Sequence, residues 1–321
     1  MSADLTALPK ANLHLHLTGS MRPATLAELA ERYDITTTTL TADHGHDWSS
    51  FQRIYDSARD ALRTAVDIER VVTEALQDNV ADGCDWVEIQ VDPTSYAERL
   101  GGMEPVVEAV LAGVEGYDAG VIVASSWARS GDHALRLAKL AGRYAGQGVV
   151  GFGLSNDERL GRVADFAAAF RHALDAGLTT APHSGFYEPA WHVRECVEIL
   201  GAQRIGHGIT AAADPATLEL LARRNVALEV CPTSYPPFRV AELGTLPIRT
   251  LLEAGVPVAL GSDDPLLFGA DVTAQYRILR DRLGFADSEL AQLAGQSAAA
   301  STAPPTLKTR LHKDIETWFA A

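Results

Sequence analysis

The sequence predicts an α/β protein of the (β/α)8 TIM-type barrel class, with extra helices inserted after the first strand. Short β-branched or apolar runs recur eight times, at 12–17, 86–91, 121–125, 149–154, 179–183, 204–207, 227–231 and 257–262. Stretches with helical spacing lie between them, among them 104–119, 132–144, 163–176, 191–201 and 214–224. Strand and helix in alternation imply a parallel sheet, and eight such units can close into a barrel. Glycines also stand where helices should end before a strand, at Gly83, Gly177, Gly201 and Gly255, the place that favours a left-handed residue.

The first strand carries His14-Leu15-His16. Alternate residues of a strand share a face, so both imidazoles point one way and Leu13, Leu15 and Leu17 the other. In a barrel the leucines pack on the helices, and the histidines point inward toward the end where active sites form. The interval 23–81 is longer than one crossover needs. It holds a Thr-rich turn at 36–39 and apolar residues at helical spacing over 47–63, which predicts extra helices near the barrel mouth. At the far end, Pro304-Pro305 precedes an amphipathic helix that runs to Trp318. No low-complexity linker interrupts this pattern, so 1–321 is expected to be a single domain.

Composition bounds the function. Of 321 residues, 47% are hydrophobic and 21% charged, enough apolar material for a core without disulfides. A net charge of −15 argues against nucleic acid or an anionic membrane as the main partner. Cys84, Cys196 and Cys231 are sparse and far apart, the usage of reduced thiols. Neither a signal-peptide pattern nor an apolar run of ~20 residues is present. The expectation is a cytoplasmic protein with a small-molecule partner, its oligomeric state left open.

Polar residues then gather at the strand ends. His183 closes the fifth strand, His207 the sixth, and Asp263-Asp264 the eighth. With His14 and His16 this places four histidines and two aspartates at one rim. Burying so many polar groups without a common ion is costly. Neutral imidazoles with a carboxylate suit zinc best, one ion per chain, with iron or manganese as alternatives.

The chain resembles the adenosine deaminase family of the amidohydrolase superfamily along nearly its whole length. The resemblance is carried by Pro9-Lys10-Ala11-Asn12-Leu13-His14-Leu15-His16-Leu17-Thr18-Gly19-Ser20, Gly151-Phe152-Gly153-Leu154, Arg204-Ile205-Gly206-His207-Gly208, Leu228-Glu229-Val230-Cys231-Pro232-Thr233-Ser234 and Gly261-Ser262-Asp263-Asp264-Pro265. It implies that His14, His16, His183 and Asp263 ligate the ion. It also implies that His207 orients an attacking water and that Asp264 hydrogen-bonds the substrate ring. His16, Gly153, Thr18, Asn156 and Phe186 fall at positions expected to meet substrate, a purine, a nucleoside or a related heterocycle. Zinc lowers the pKa of its water to about 7, which suits attack on a ring carbon that bears an amino group and would release ammonia.

The family places a glutamate three residues after the fifth-strand histidine, to protonate the ring nitrogen. Here the stretch is His183-Ser184-Gly185-Phe186, and phenylalanine has no proton to give. Three readings follow. Glu188 reaches back as the acid; the site runs a hydrolysis or addition on another substrate without releasing ammonia; or catalysis is lost and the protein binds a nucleoside-like ligand. Tyr187, with a reference pKa near 10, is a poor donor at neutral pH. Thr18 stands where the family usually has an acidic residue facing the sugar, Asn156 at a usual Gly or Ser, and Gln90 in place of an arginine following the second strand. A pocket altered at both its sugar-facing and acid-supplying positions, with all four metal ligands intact, points to a changed substrate. Tyr235, Phe238, Trp48, Phe51 and Phe186 are expected to wall the pocket, although Trp48 and Phe51 fit equally well as packing under the inserted helices. His44 and His46 are expected at the surface, and His133, His172, His192 and His312 on the solvent side of helices.

Overall fold

The computed structural model describes residues 3–38 and 48–320. Eight strands, β1 (Lys10–His16), β2 (Cys84–Val91), β3 (Ala119–Ser126), β4 (Val149–Ser155), β5 (Thr179–Ser184), β6 (Arg204–His207), β7 (Ala227–Val230) and β8 (Val258–Leu260), form one sheet in sequence order. Every pairing is parallel. The ring closes at Asp263, just past β8: its amide donates to His14 O at 2.8 Å, and its carbonyl accepts from His16 N at 3.0 Å. The chain is thus a (β/α)8 barrel, and the closing seam runs through the candidate site.

Helices α1 (Pro23–Tyr33), α2 (Trp48–Arg59) and α3 (Ala65–Ala81) fill the long interval after β1. Thr64 starts α3 with a reciprocal capping box, its hydroxyl accepting from Asp67 N while Asp67 accepts from the Thr64 amide. Helices α4 (Ala97–Leu100), α5 (Met103–Val114), α6 (Gly131–Arg143), α7 (Ala167–Asp175), α8 (Ala190–Ile199), α9 (Pro215–Arg224) and α10 (Ile248–Glu253) lie between the later strands. Helices α11 (Pro265–Phe268), α12 (Val272–Leu283), α13 (Asp287–Ala300) and α14 (Pro305–Ala320) complete the chain. Gly83, Gly177, Gly201 and Gly255 all take positive φ, from 67° to 82°, where a side chain would cost conformational energy. Leu13 packs with Trp86, Leu307 and Leu311, and Leu15 and Leu17 enter the main core.

Three sequence expectations need correction. The helix expected over 104–119 stops at Val114, because Glu115 leaves the helical region and Gly116 turns the chain at φ 84°. The stretch 163–176 is a 3-10 turn followed by α7. His192 does not face solvent: it is 2% exposed, with Nδ1 2.7 Å from Ser184 Oγ. His133 and His172 are half-buried and His312 is exposed. His44, His46 and the ends of the Thr-rich turn and of the 47–63 segment (Thr39 and Asp47) lie outside the described residues. Among the described residues, no helix is long and apolar enough to cross a membrane.

Candidate active site

The C-terminal rim gathers the polar residues of four strands. His14 and His16 come from β1, His183 from β5, His207 from the last position of β6, and Asp263 and Asp264 from the turn after β8. His207 and Asp263 are non-glycine residues at φ 67° and 59°, a strained choice that concentrates at functional sites. Two glycines make room. A Cβ on Gly206 would lie 2.9 Å from His14 Cε1 and 3.2 Å from His183 Cγ; one on Gly261 would lie 2.5 Å from His14 Cβ.

His14, His16 and His183 offer ligand atoms all within 4.8 Å of one another, as do His14, His207, Cys231 and Asp263. His16 Nε2 and His183 Nε2 stand 3.2 Å apart, and Asp263 Oδ1 is 3.3 Å from His16 Nε2 and 3.7 Å from His14 Nε2. Two nitrogens 2.0–2.1 Å from one tetrahedral ion would be about 3.3 Å apart. His14 Nε2 is buried with no hydrogen-bond partner among the described residues, although its ring is fixed from the other side. The donors therefore fit a divalent ion of the zinc type. Cys231 is engaged otherwise, its Sγ donating to the Glu229 carbonyl at 3.7 Å.

Charge is distributed unevenly here. Burial holds His183 well below the usual imidazole value and His207 down to about 3. Burial alone would raise Asp263, but the imidazoles of His16, His14 and His207 hold it well below the carboxylate range. Burial and the adjacent Asp263 push Asp264 well above it. Ser234 Oγ donates to Asp263 Oδ2 at 2.6 Å, fixing that carboxylate from behind.

Behind His14 runs a buried charge chain that the sequence reading did not single out. His14 Nδ1 lies 2.8 Å from Glu229 Oε2. Glu229 Oε1 pairs with Arg204 Nε at 2.7 Å, and Arg204 also donates to Glu88. Glu88 in turn accepts from Thr302 N and Oγ1, both at 2.7 Å. Glu88 and Glu229 are 0% and 3% exposed. Both lie inside quoted strands, and a charge in a buried strand is itself the signal that a partner must exist.

In front of the cluster opens a cavity lined by aromatic and polar side chains. Trp48, Phe51, Phe186, Phe238 and Phe268 wall it, and His16, His183, His207, Asp263, Asp264, Asn156 and Glu158 supply polar atoms. Phe51 and Phe268 stack with an interplanar angle of 2°. Phe186 packs on the His207 ring with centroids 4.7 Å apart. Asn156 takes φ 73°, a left-handed conformation that asparagine tolerates.

Other expected substrate contacts fall elsewhere. Thr18 is fully buried with Oγ1 2.6 Å from Tyr96 OH, so its hydroxyl is engaged away from the cavity lining. Gly153 lies within β4, where a Cβ would be 2.7 Å from Gln90 Nε2; Gln90 is itself part of β2, not beyond it. Glu188 is not among the lining residues. Its amide is held by Glu158 and its carbonyl by Thr210 Oγ1 at 2.8 Å, which fixes the loop with a different carboxyl, Glu158, in the wall. Glu158 follows β4 at the rim where barrel chemistry collects, and that position was its available signal.

An eight-stranded barrel with this donor cluster at its C-terminal rim defines a hydrolase of the metal-dependent amidohydrolase class. The chain belongs to the adenosine deaminase family: the family model described as "Adenosine deaminase" matches residues 9–318. It is 48% identical over 338 residues to a Streptomyces coelicolor protein named "Putative adenosine/adenine deaminase", covering 99% of this chain and 98% of the relative. An aminodeoxyfutalosine deaminase of Acidothermus cellulolyticus is 32% identical, with 95% of each chain covered. The crystal structure of adenine deaminase from Arthrobacter aurescens superposes with a TM-score of 0.87 at 29% identity, covering 98% of this chain and 99% of that one.

Proposed function

We propose that the chain is a zinc-dependent aminohydrolase that releases ammonia from an amino-substituted purine, a nucleoside or a related heterocycle. Support comes from one observation above all: His16, His183 and Asp263 line a cavity whose walls are aromatic, with His14 completing the cluster beside them. His14, His16, His183 and Asp263 would hold the ion, with Glu229 setting the orientation of His14. When bound, such an ion supplies Lewis acidity that brings the pKa of water to about 7.

The chain's own residues do the rest. His207 Nε2, 4.0 Å from Asp263 Oδ2, orients the attacking water. Asp264 and Asn156 meet the edge of the heterocycle, and Trp48, Phe51, Phe238 and Phe268 exclude water from its faces. The names of the relatives, adenosine/adenine deaminase and adenine deaminase among them, agree with a purine-sized amino heterocycle.

Phe186 at the cavity wall favours a second reading, in which the activated water adds to or hydrolyses another substrate without ammonia loss. The deciding experiment is ammonia release from zinc-loaded protein on adenine, adenosine, deoxyadenosine, modified adenosines and other aminated heterocycles. Turnover on one member is the expected result. Silence across the panel with the metal bound would refute deamination and leave the second reading, or ligand binding without turnover.

A further inference from the structure

The deamination proposed above needs an acid for the ring nitrogen beside the attacked carbon, and position 186 is apolar. A carboxyl nevertheless enters the cavity wall from the turn that follows β4. Glu158 is 2% exposed and lines the cavity together with His183, His207, Asp263 and Asp264. The loop after β5 folds over it: Tyr187 N donates to Glu158 Oε1 at 2.6 Å, and the amide of Glu188 donates to the same oxygen. Its second oxygen, Oε2, is buried with no partner among the described residues. One oxygen is thus anchored by the loop, while the other is buried without a hydrogen-bond partner.

We infer that Glu158 is the proton donor of this site, taking the place of the glutamate that Phe186 displaces. The inference rests on the aminohydrolase reading. In the step, the water oxygen bonds to the amino-bearing ring carbon as the C=N π pair moves to the ring nitrogen, which takes the proton from Glu158 Oε2. The carbon–nitrogen bond to the amino group then breaks, and that group leaves as ammonia with one proton of the water. The other water proton returns to Glu158, and the product keeps the ring N–H.

The electrostatic surroundings agree. Burial pushes Glu158 up to about 7 against the lowering effect of the Glu188, Tyr187 and Phe186 amides, and the Glu188 carboxylate adds to the rise. The Arg159 guanidinium, stacked 4.0 Å over the Tyr187 ring, and the buried Cys196 thiol also face it. An acid with a pKa near the working pH suits proton transfer.

The test compares zinc-loaded wild type, Glu158→Gln and Glu188→Gln, measuring ammonia release, kcat and KM from pH 5 to 9, with metal content and folding checked by circular dichroism. Glutamine keeps an oxygen for the loop amides. Glu158→Gln is expected to lower kcat by about 10²–10⁴-fold with KM little changed, and to lack the alkaline fall in kcat that the wild type should show near pH 7. Glu188→Gln should stay within about twofold. Retention of more than a tenth of kcat in Glu158→Gln, or persistence of the alkaline limb, would overturn the assignment while leaving deamination intact. Should Glu158→Gln fail to fold, a wild-type kcat that stays flat from pH 6 to 9 overturns it by itself. Absence of ammonia from the wild type on every member of the panel refutes deamination, and the donor assignment with it.

Discussion

Arg204→Met removes the one cation in the buried chain behind His14 and keeps most of the volume. Arg204 is 2% exposed, and its partners Glu88 and Glu229 are as deeply buried. Removing one partner of such a pair leaves uncompensated carboxylates and costs about 3–5 kcal/mol. At about 2 °C per kcal/mol for a chain of this size, the melting temperature should fall by about 6–10 °C. The pH dependence gives the sign. In the wild type Arg204 outweighs burial and holds Glu88 below its usual value. Its contribution is present above the unfolded carboxylate pKa and is lost as pH falls through the lower, folded value. In the variant burial still raises Glu88, and only the hydrogen bonds from Thr302 and Trp86 remain to oppose it. The deficit should therefore be largest at pH 8 and shrink toward pH 5. Scanning calorimetry of both proteins at pH 5, 6, 7 and 8, with and without zinc, measures this. Zinc affinity should also fall by about 10–100-fold, because Glu229 no longer holds the His14 ring firmly. A melting temperature within 2 °C of wild type at pH 8 on the order-of-magnitude scale above, with no pH trend in the difference, would refute the reasoning.

Other expectations follow from single contacts. His16→Ala should strip the ion and remove the thermal stabilisation that zinc gives, about 2.7 kcal/mol when the metal is at 100 times its Kd; unchanged zinc content by atomic absorption would rule out His16 as a ligand. Gly19→Ala would put a Cβ 1.7 Å from Asp264 Oδ1, so Asp264 must shift; KM should rise steeply while zinc remains bound, and an unaltered KM would contradict a substrate contact by Asp264. Glu158 is raised from 4.5 to about 7, so its contribution to stability is full below 4.5 and is lost as pH rises through 7. That loss amounts to about 3 kcal/mol, and Glu158→Gln should flatten the corresponding fall in calorimetric stability between pH 5 and 8.

Much of this was legible in the chain itself. The two-residue period of His14-Leu15-His16 sets which side chains share a face of β1, and the eight apolar runs set the strand count. Both are local, because a strand alternates its faces whatever packs against it. The rim histidines and Asp263-Asp264 were equally visible, since strand ends of a barrel converge by topology. Glu188 stood as one of three readings of the missing acid, offered because it lies two positions beyond Phe186. The fold instead pins the amides of Tyr187 and Glu188 onto Glu158, which lies in the turn after β4, 30 residues before Glu188. The pairing of Arg204 with Glu88, 116 residues apart, escaped for the same reason. Local periodicity determines which face a residue takes, but which charges meet inside a closed barrel depends on stagger and closure, and only the tertiary structure sets those.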